Sequence, residues 1–212
     1  MKDVSATVTK SRSSPVSKPR RLPRRFFEQP TLKVARGLLG QRLVKVEANG
    51  RRTAGKIVET EAYVGPRDLG CHAHSGRTRR NESIWGPAGR AYVYFTYGMH
   101  WMLNFVTEAD GFPAAVLLRA VIVEEGLDRA RRRRGGAAAV SDGPAKLCQA
   151  LAVDGRWDGH DLCHPGARIF VEHVAGTARA GVKVGPRVGL DGVPEPWKGK
   201  PWRFRLAGSF AR

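Results

Sequence analysis

Cysteine is scarce in this chain and never paired. Cys71, Cys148 and Cys163 are an odd set with no CxxC spacing. That pattern excludes a disulfide-stapled secreted scaffold and suits a reducing compartment. Acidic residues are the next shortage, with 19 Asp and Glu against 37 Lys and Arg and a formal charge of +18. A surplus of this size points to a polyanionic partner and says nothing of the fold. Nucleic acid is the first candidate and an anionic membrane surface the second. No apolar run nears the ~20 residues that a bilayer-spanning helix needs, so no membrane partner is expected. Residues 1–25 lack the apolar stretch of a secretory signal, and a cytoplasmic location follows, nucleoid-associated if the source is bacterial.

The length of 212 residues predicts one domain with one substantial core. Residues 1–25 are rich in Ser, Pro, Lys and Arg and poor in apolar side chains, which predicts a disordered basic arm ahead of a folded domain over 26–212. Thr31 is placed to cap a helix over 32–39 that Gly40 stops. Strands are predicted over 42–47 and 55–63 around an Asn49-Gly50 turn, then over 91–106 as a hairpin and over 114–123. Helices follow over 126–134 and 143–151, with later strands near 168–173, 182–184 and 203–207. Hairpin-joined strands with few helices read as α+β, a single mixed domain. The pattern gives it a largely antiparallel, curved sheet, flanking helices and one protruding hairpin.

The stretch Lys56-Ile57-Val58-Glu59-Thr60-Glu61-Ala62-Tyr63 puts two carboxylates into an apolar strand. Alternation places Glu59 and Glu61 on one face and Thr60 on the other. Neighbouring carboxylates repel, and burial raises a carboxyl pKa unless partners compensate. Such a pair marks an acid, a base or a metal ligand, or else a solvated edge strand with both residues exposed.

Further along stand Asp68, Cys71, His72 and His74, superficially a metal-ligand set. Zinc sites draw a second ligand pair from elsewhere, and the remaining cysteines offer none, so no metal or other cofactor is expected. The hairpin strand Ala91-Tyr92-Val93-Tyr94-Phe95-Thr96-Tyr97 ends at Gly98-Met99, leaving Tyr97 at a tip. Exposed aromatics at loop tips on a basic protein suggest insertion into nucleic acid, with a core tyrosine as the alternative.

Together these motifs resemble the alkyladenine (methylpurine) DNA glycosylases. The resemblance rests on Glu-Thr-Glu-Ala-Tyr at 59–63, His72, Tyr-Val-Tyr-x-x-Tyr-Gly-Met at 92–99, Asn104 and Leu-Leu-Arg at 117–119. It continues through Gly143-Pro144-Ala145-Lys146 and Lys200-Pro201-Trp202, and spans roughly 27–210. It implies a monofunctional, monomeric DNA N-glycosylase of base excision repair. Such an enzyme flips alkylated purines out of double-stranded DNA and removes them by hydrolysis, with deaminated and etheno purines as further candidates.

By resemblance Glu61 is the general base and Arg119 stands beside it and the attacking water, where pairing would lower the carboxyl pKa. Glu59 is read as structural. Tyr63, His72 and Tyr94 match the stacking residues of the base pocket, whose electron-rich faces favour cationic purines. Asn104 is the implied filter against guanine, or otherwise a satisfied structural amide. Tyr97, with Met99, is the implied wedge. Arg77, Arg80 and Lys146 are candidate DNA backbone contacts, and His74 a surface residue. No lysine or N-terminal amine is placed for Schiff-base chemistry, since Lys56 faces away from Glu61. Two rivals compete with this assignment. One is a non-catalytic nucleic-acid-binding protein of the same fold, and the other a metal-dependent nuclease using Glu59, Glu61 and Asp68.

Overall fold

The computed structural model describes residues 20–176 and 181–209. In chain order the main elements begin with α1 (Arg24–Phe27), α2 (Thr31–Leu38), β1 (Arg42–Val46), β2 (Arg52–Val64), β3 (Ala91–Thr96) and β4 (His100–Val106). Then come β5 (Ala114–Glu125), α3 (Leu127–Arg133), α4 (Pro144–Leu151), β6 (Ile169–Glu172), β7 (Val182–Gly185) and β8 (Arg203–Leu206). Every strand pairing is antiparallel, in the order β3-β4-β5-β2-β1-β6 with β7-β8 attached to β2. The expected α+β class with a largely antiparallel sheet is what the chain adopts.

The apolar spacing of α2 buries Val34, Ala35 and Leu38, and α4 buries Leu147, Cys148, Ala150 and Leu151. Both faces join one core with Leu43, Ile57, Leu103, Phe105 and Leu118. Each fully buried aliphatic side chain of this kind stabilises by roughly 1.5–3 kcal/mol before entropy is charged against it.

Two local expectations change. Thr31 is the first helical residue rather than the cap. Its N–H donates to Glu108 Oε1 at 3.0 Å and its hydroxyl bonds Glu108 and Thr107, so the helix start is satisfied by residues far along the chain. Residues 20–25, which composition assigns to the arm, pack on the folded domain. Leu22 is buried and donates its N–H to Val171 O, Arg21 lies over the Phe170 ring and Arg24 pairs with Asp161 at 2.6 Å. Residues 20–25 therefore have partners that composition alone could not reveal, while residues 1–19 lie outside the described residues.

Strand β2 decides where the chemistry sits. One edge pairs with β5 throughout, and the other passes from β1 (residues 52–56) to β8 (residues 59–61). At that changeover the β2–β5 register shifts twice, between Ile57 and Glu59 and between Glu59 and Thr60. Glu59 faces Ala120 and Thr60 faces Leu118, which leaves Val58 and Arg119 as extra residues on their strands. Bulges of this kind re-aim side chains.

Candidate active site

The bulged segment brings Glu59, Glu61 and Arg119 together, all three buried. Arg119 Nε donates to Glu59 Oε1 at 3.0 Å, and its Nη1 lies 3.2 Å from Glu61 Oε2. Thr60 points the other way and donates its hydroxyl to Ala35 O. The shared face predicted for the two carboxylates is therefore present, and the exposed-edge alternative fails because β2 is paired on both edges. Arg203 stands 3.6 Å from Glu59, which gives that carboxylate two cations and a structural part.

Glu61 has further partners. Tyr63 Oη donates to its Oε2 at 2.9 Å and the Val188 N–H to its Oε1 at 2.8 Å. Its side chain is 0% exposed. Loss of water raises the Glu61 pKa above the ordinary carboxylate range, even though Arg119, the Val188 amide and the Tyr63 hydroxyl pull it down. Pairing with Arg119 predicts a lowered value instead. Burial outweighs the guanidinium.

In front of this cluster lies a cavity of about 280 Å³. Tyr63, His72, Tyr94, Asn104, Leu117, Arg119 and Val188 are among its walls, and Tyr97 stands at its rim. Glu61 is behind that wall, within reach through Arg119, Tyr63 and Val188. His72 and Tyr94 meet edge to face with ring centroids 4.4 Å apart, and Tyr92 leans on Tyr94 at 5.3 Å. His72 Nδ1 is 2.9 Å from the Tyr92 hydroxyl. Partial desolvation of the His72 side chain, which is exposed overall, with the Arg80 guanidinium nearby, lowers its pKa, so a neutral imidazole faces the cavity at neutral pH. Burial raises the phenol pKa of Tyr63 and Tyr94, which stay uncharged aromatic walls.

Asn104 pairs across the hairpin with Tyr92 and donates Nδ2 to Tyr92 O at 3.1 Å. It is both a satisfied amide and part of the cavity wall. At the hairpin tip, Tyr97 and Gly98 both take positive φ, 52° and 65°, closing a turn in which Met99 N–H donates to Thr96 O. Tyr97 is 77% exposed and Met99 66%, so the core alternative for Tyr97 fails.

The candidate backbone contacts are engaged within the protein. Arg77 pairs with Glu82, Arg80 donates to Phe95 O at 2.8 Å, and Lys146 pairs with Asp142 at 2.9 Å. His74 is exposed and held by Cys71 O.

Asp68 is not a ligand-like residue. It forms an ion pair with Arg187 in which both side chains are 0% exposed, and it accepts the N–H groups of Val64 and Gly70. Among the described residues no group of three or more His, Cys, Asp or Glu could hold a metal ion. The nuclease alternative thus loses Asp68 to Arg187 and Glu59 to Arg119. Burial pushes the Cys71 thiol up to about 11 and that of Cys148 up to about 12, which removes both as thiolate nucleophiles. Sequence reasoning missed Arg187 and Val188 altogether. They lie in Gly185-Pro186-Arg187-Val188-Gly189, which has no hydrophobic period and no carboxylate to draw notice.

The model of one protein family, described as methylpurine-DNA glycosylase, matches residues 25–210. The chain belongs to that family. Curated relatives similar to it carry the provisional name 3-methyladenine DNA glycosylase. One from Methanocella arvoryzae is 45% identical over 86% of this chain and 90% of its own. One from Myxococcus xanthus is 46% identical over 89% and 91%, and one from Carboxydothermus hydrogenoformans 44% over 87% and 94%. As a member of the methylpurine-DNA glycosylases the chain is a hydrolase of the N-glycosidic bond, and the non-catalytic alternative falls away. No helix among its described residues is long and apolar enough to cross a membrane.

Proposed function

We propose that this glycosylase is monofunctional, works as a monomer on duplex DNA, and turns an alkylated purine such as 3-methyladenine into the aromatic cavity before hydrolysing its bond to the sugar. Deaminated and etheno purines are further candidate substrates. The observation that carries this reading is the carboxylate of Glu61 set behind a cavity walled by Tyr63, His72 and Tyr94, with Arg119 joining the two.

Extruding a base costs a few kcal/mol of stacking and pairing, and the gap needs a filler. Tyr97 at the tip of the hydrogen-bonded turn is the assigned wedge, assisted by Met99. Inside the cavity, a purine carrying positive charge gains from the aromatic faces more than a neutral one does. A water admitted from the cavity past Arg119 to the Glu61 carboxylate gives its proton to that general base while its oxygen attacks the anomeric carbon and the departing purine takes the electrons of the glycosidic bond. The carboxylate also opposes the positive charge that builds on the sugar as the base departs. Arg77, Arg80 and Lys146 are assigned to phosphates, each exchanging its internal partner on docking. Lys56 supports a hydrolytic route over a Schiff-base route, because it is exposed and 4.0 Å from Glu124, away from Glu61.

The pH dependence follows from the burial of Glu61. The base must be ionised, and its raised pKa means ionisation is completed at higher pH than for a free glutamate. Single-turnover excision should therefore fall as pH drops through a limb lying above the ordinary glutamate range, and a limb at or below that range would contradict a desolvated base.

Asn104→Ser should relax discrimination against guanine. The shorter hydroxyl removes bulk from the cavity wall where an exocyclic amine would clash, and selectivity built on clash is lost with the clashing group. Excision of guanine relative to hypoxanthine, measured in otherwise identical duplexes, should rise about tenfold, the equivalent of ~1.4 kcal/mol. A lower melting temperature with an unchanged ratio would leave Asn104 as the support of Tyr92 O alone.

A further inference from the structure

The buried pair of Asp68 and Arg187 has no part in the chemistry proposed so far, yet it touches both halves of the site. Arg187 gives Nη1 to Asp68 Oδ2 at 2.5 Å and to Ala62 O at 3.0 Å, and Nη2 to Asp68 Oδ1 at 2.7 Å and to Trp197 O at 3.3 Å. Its guanidinium lies over the rings of Tyr63, 4.7 Å from the centroid, and of Trp202, 5.0 Å away. A charge buried this deeply with a bidentate partner is costly to move and so fixes geometry. The next residue, Val188, is the one whose N–H holds Glu61 Oε1.

Asp68 reaches the other half. Its backbone O accepts the Cys71 N–H and its carboxylate accepts the Gly70 N–H, which seats the loop that presents His72. Gly70 also makes the room that the guanidinium occupies. A Cβ there would stand 2.7 Å from Arg187 Nη2 and 2.8 Å from Leu190 Cδ1.

We propose that Arg187, clamped by Asp68, is a positioning residue for catalysis: it sets the Val188 amide against Glu61 and ties that setting to the loop carrying His72. This rests on the assignment of Glu61 as the general base. An amide donating to a carboxylate favours its charged form, and Glu61 is already disfavoured as an anion by burial. Loss of the Val188 contact should therefore leave Glu61 harder to ionise as well as misplaced.

The test uses the full chain and duplexes with one 7-methylguanine. It measures the single-turnover rate against pH, the Kd for an abasic-site-analogue duplex, and melting temperature. Arg187→Lys keeps a buried cation but loses the fork, so the rate should fall about 10- to 100-fold, as sub-ångström to ångström misplacement does. The acidic limb should move to higher pH and the Kd should stay within about threefold, because affinity comes mainly from phosphates and the wedge. A folded variant with the wild-type rate and limb would overturn the proposal. So would equal losses in rate and affinity with the limb unmoved, which is what a merely structural residue gives.

If Arg187→Lys does not fold, replacing the Val188 peptide N–H with an ester oxygen removes the donor and leaves the ion pair in place. The same upward shift of the limb is expected, and an unmoved limb sinks the proposal. Glu61→Gln run alongside separates the two assignments. Wild-type excision by that variant removes the general base itself, whereas its inactivity beside an unaffected Arg187→Lys removes only the positioning role.

Discussion

Glu61→Gln is expected to reduce base release by about 10³-fold or more, with binding to an abasic-site-analogue duplex nearly unchanged. General-base catalysis contributes roughly 10²–10⁴-fold. The amide also forfeits the charge that opposes the oxocarbenium-like sugar, so the loss should fall in the upper part of that range. A thousandfold loss corresponds to about 4 kcal/mol of transition-state stabilisation. The isosteric amide can still accept the Val188 N–H through its one oxygen, while its NH2 takes the place of Oε2, where it can donate to Tyr63 Oη but no longer accepts from Arg119. The change removes one charge from a cluster that holds Glu59, Glu61 and Arg119. The fold should therefore survive, and an equal or higher melting temperature is expected, since burial already disfavours the ionised Glu61. The measurement is abasic-site formation from a single-lesion duplex under single-turnover conditions. Excision at the wild-type rate would remove Glu61 from the mechanism, and a folded Glu59→Gln variant without activity would transfer the role to Glu59.

Tyr97→Ser should weaken capture of a lesion duplex by about 30-fold while leaving stability unchanged. The wedge offsets part of the unstacking cost, and a share of about 2 kcal/mol corresponds to that factor. Stability should hold because the ring is 77% exposed and belongs to no core cluster. Serine at φ 52° meets the same mild backbone cost as tyrosine. The decisive comparison is between a lesion inside a duplex and the same lesion in a single strand, where no gap needs filling. Equal losses on the two substrates would show that Tyr97 does not act as a wedge.

Much of this architecture could be read from the chain, for identifiable reasons. Strands β2 to β5 are long, apolar and bounded by turn residues, and the tip at Tyr97-Gly98 is marked by an aromatic where the strand pattern stops. Glu59 and Glu61 stood out because charge inside Ile-Val sequence has few explanations. The parts that escaped depend on distance along the chain. Nothing near Thr31 announces that Glu108 caps its helix, and nothing near Arg187 announces that its partner is Asp68. The sign of the Glu61 shift escaped for a related reason, because one visible arginine could be weighed but the enclosure of the carboxylate could not. Composition assigns residues 20–25 to a disordered arm because it is blind to Phe170 and Asp161, which receive Arg21 and Arg24.

The changeover on β2, where β1 hands its edge to β8 opposite an unbroken β5, has a consequence for how such an enzyme can change. A one-residue slip turns every side chain of a strand to the other face, which is already costly where one face is buried. Here a slip would have to break three pairings at once, so Glu59, Glu61 and Arg119 are tied to a junction that insertion and deletion cannot easily reach. Of the cavity walls, Tyr63, Tyr94 and Asn104 belong to strands by contrast with His72 and Val188, which lie in connecting segments, and such segments accept change in length and sequence far more readily than paired strands. The Glu59–Glu61–Arg119 cluster thus sits in the least editable part of the molecule, and a share of the cavity wall in a more editable one. Only the stretches of those segments away from the Val188 amide and the Asp68–Arg187 pair are free to vary without moving Glu61.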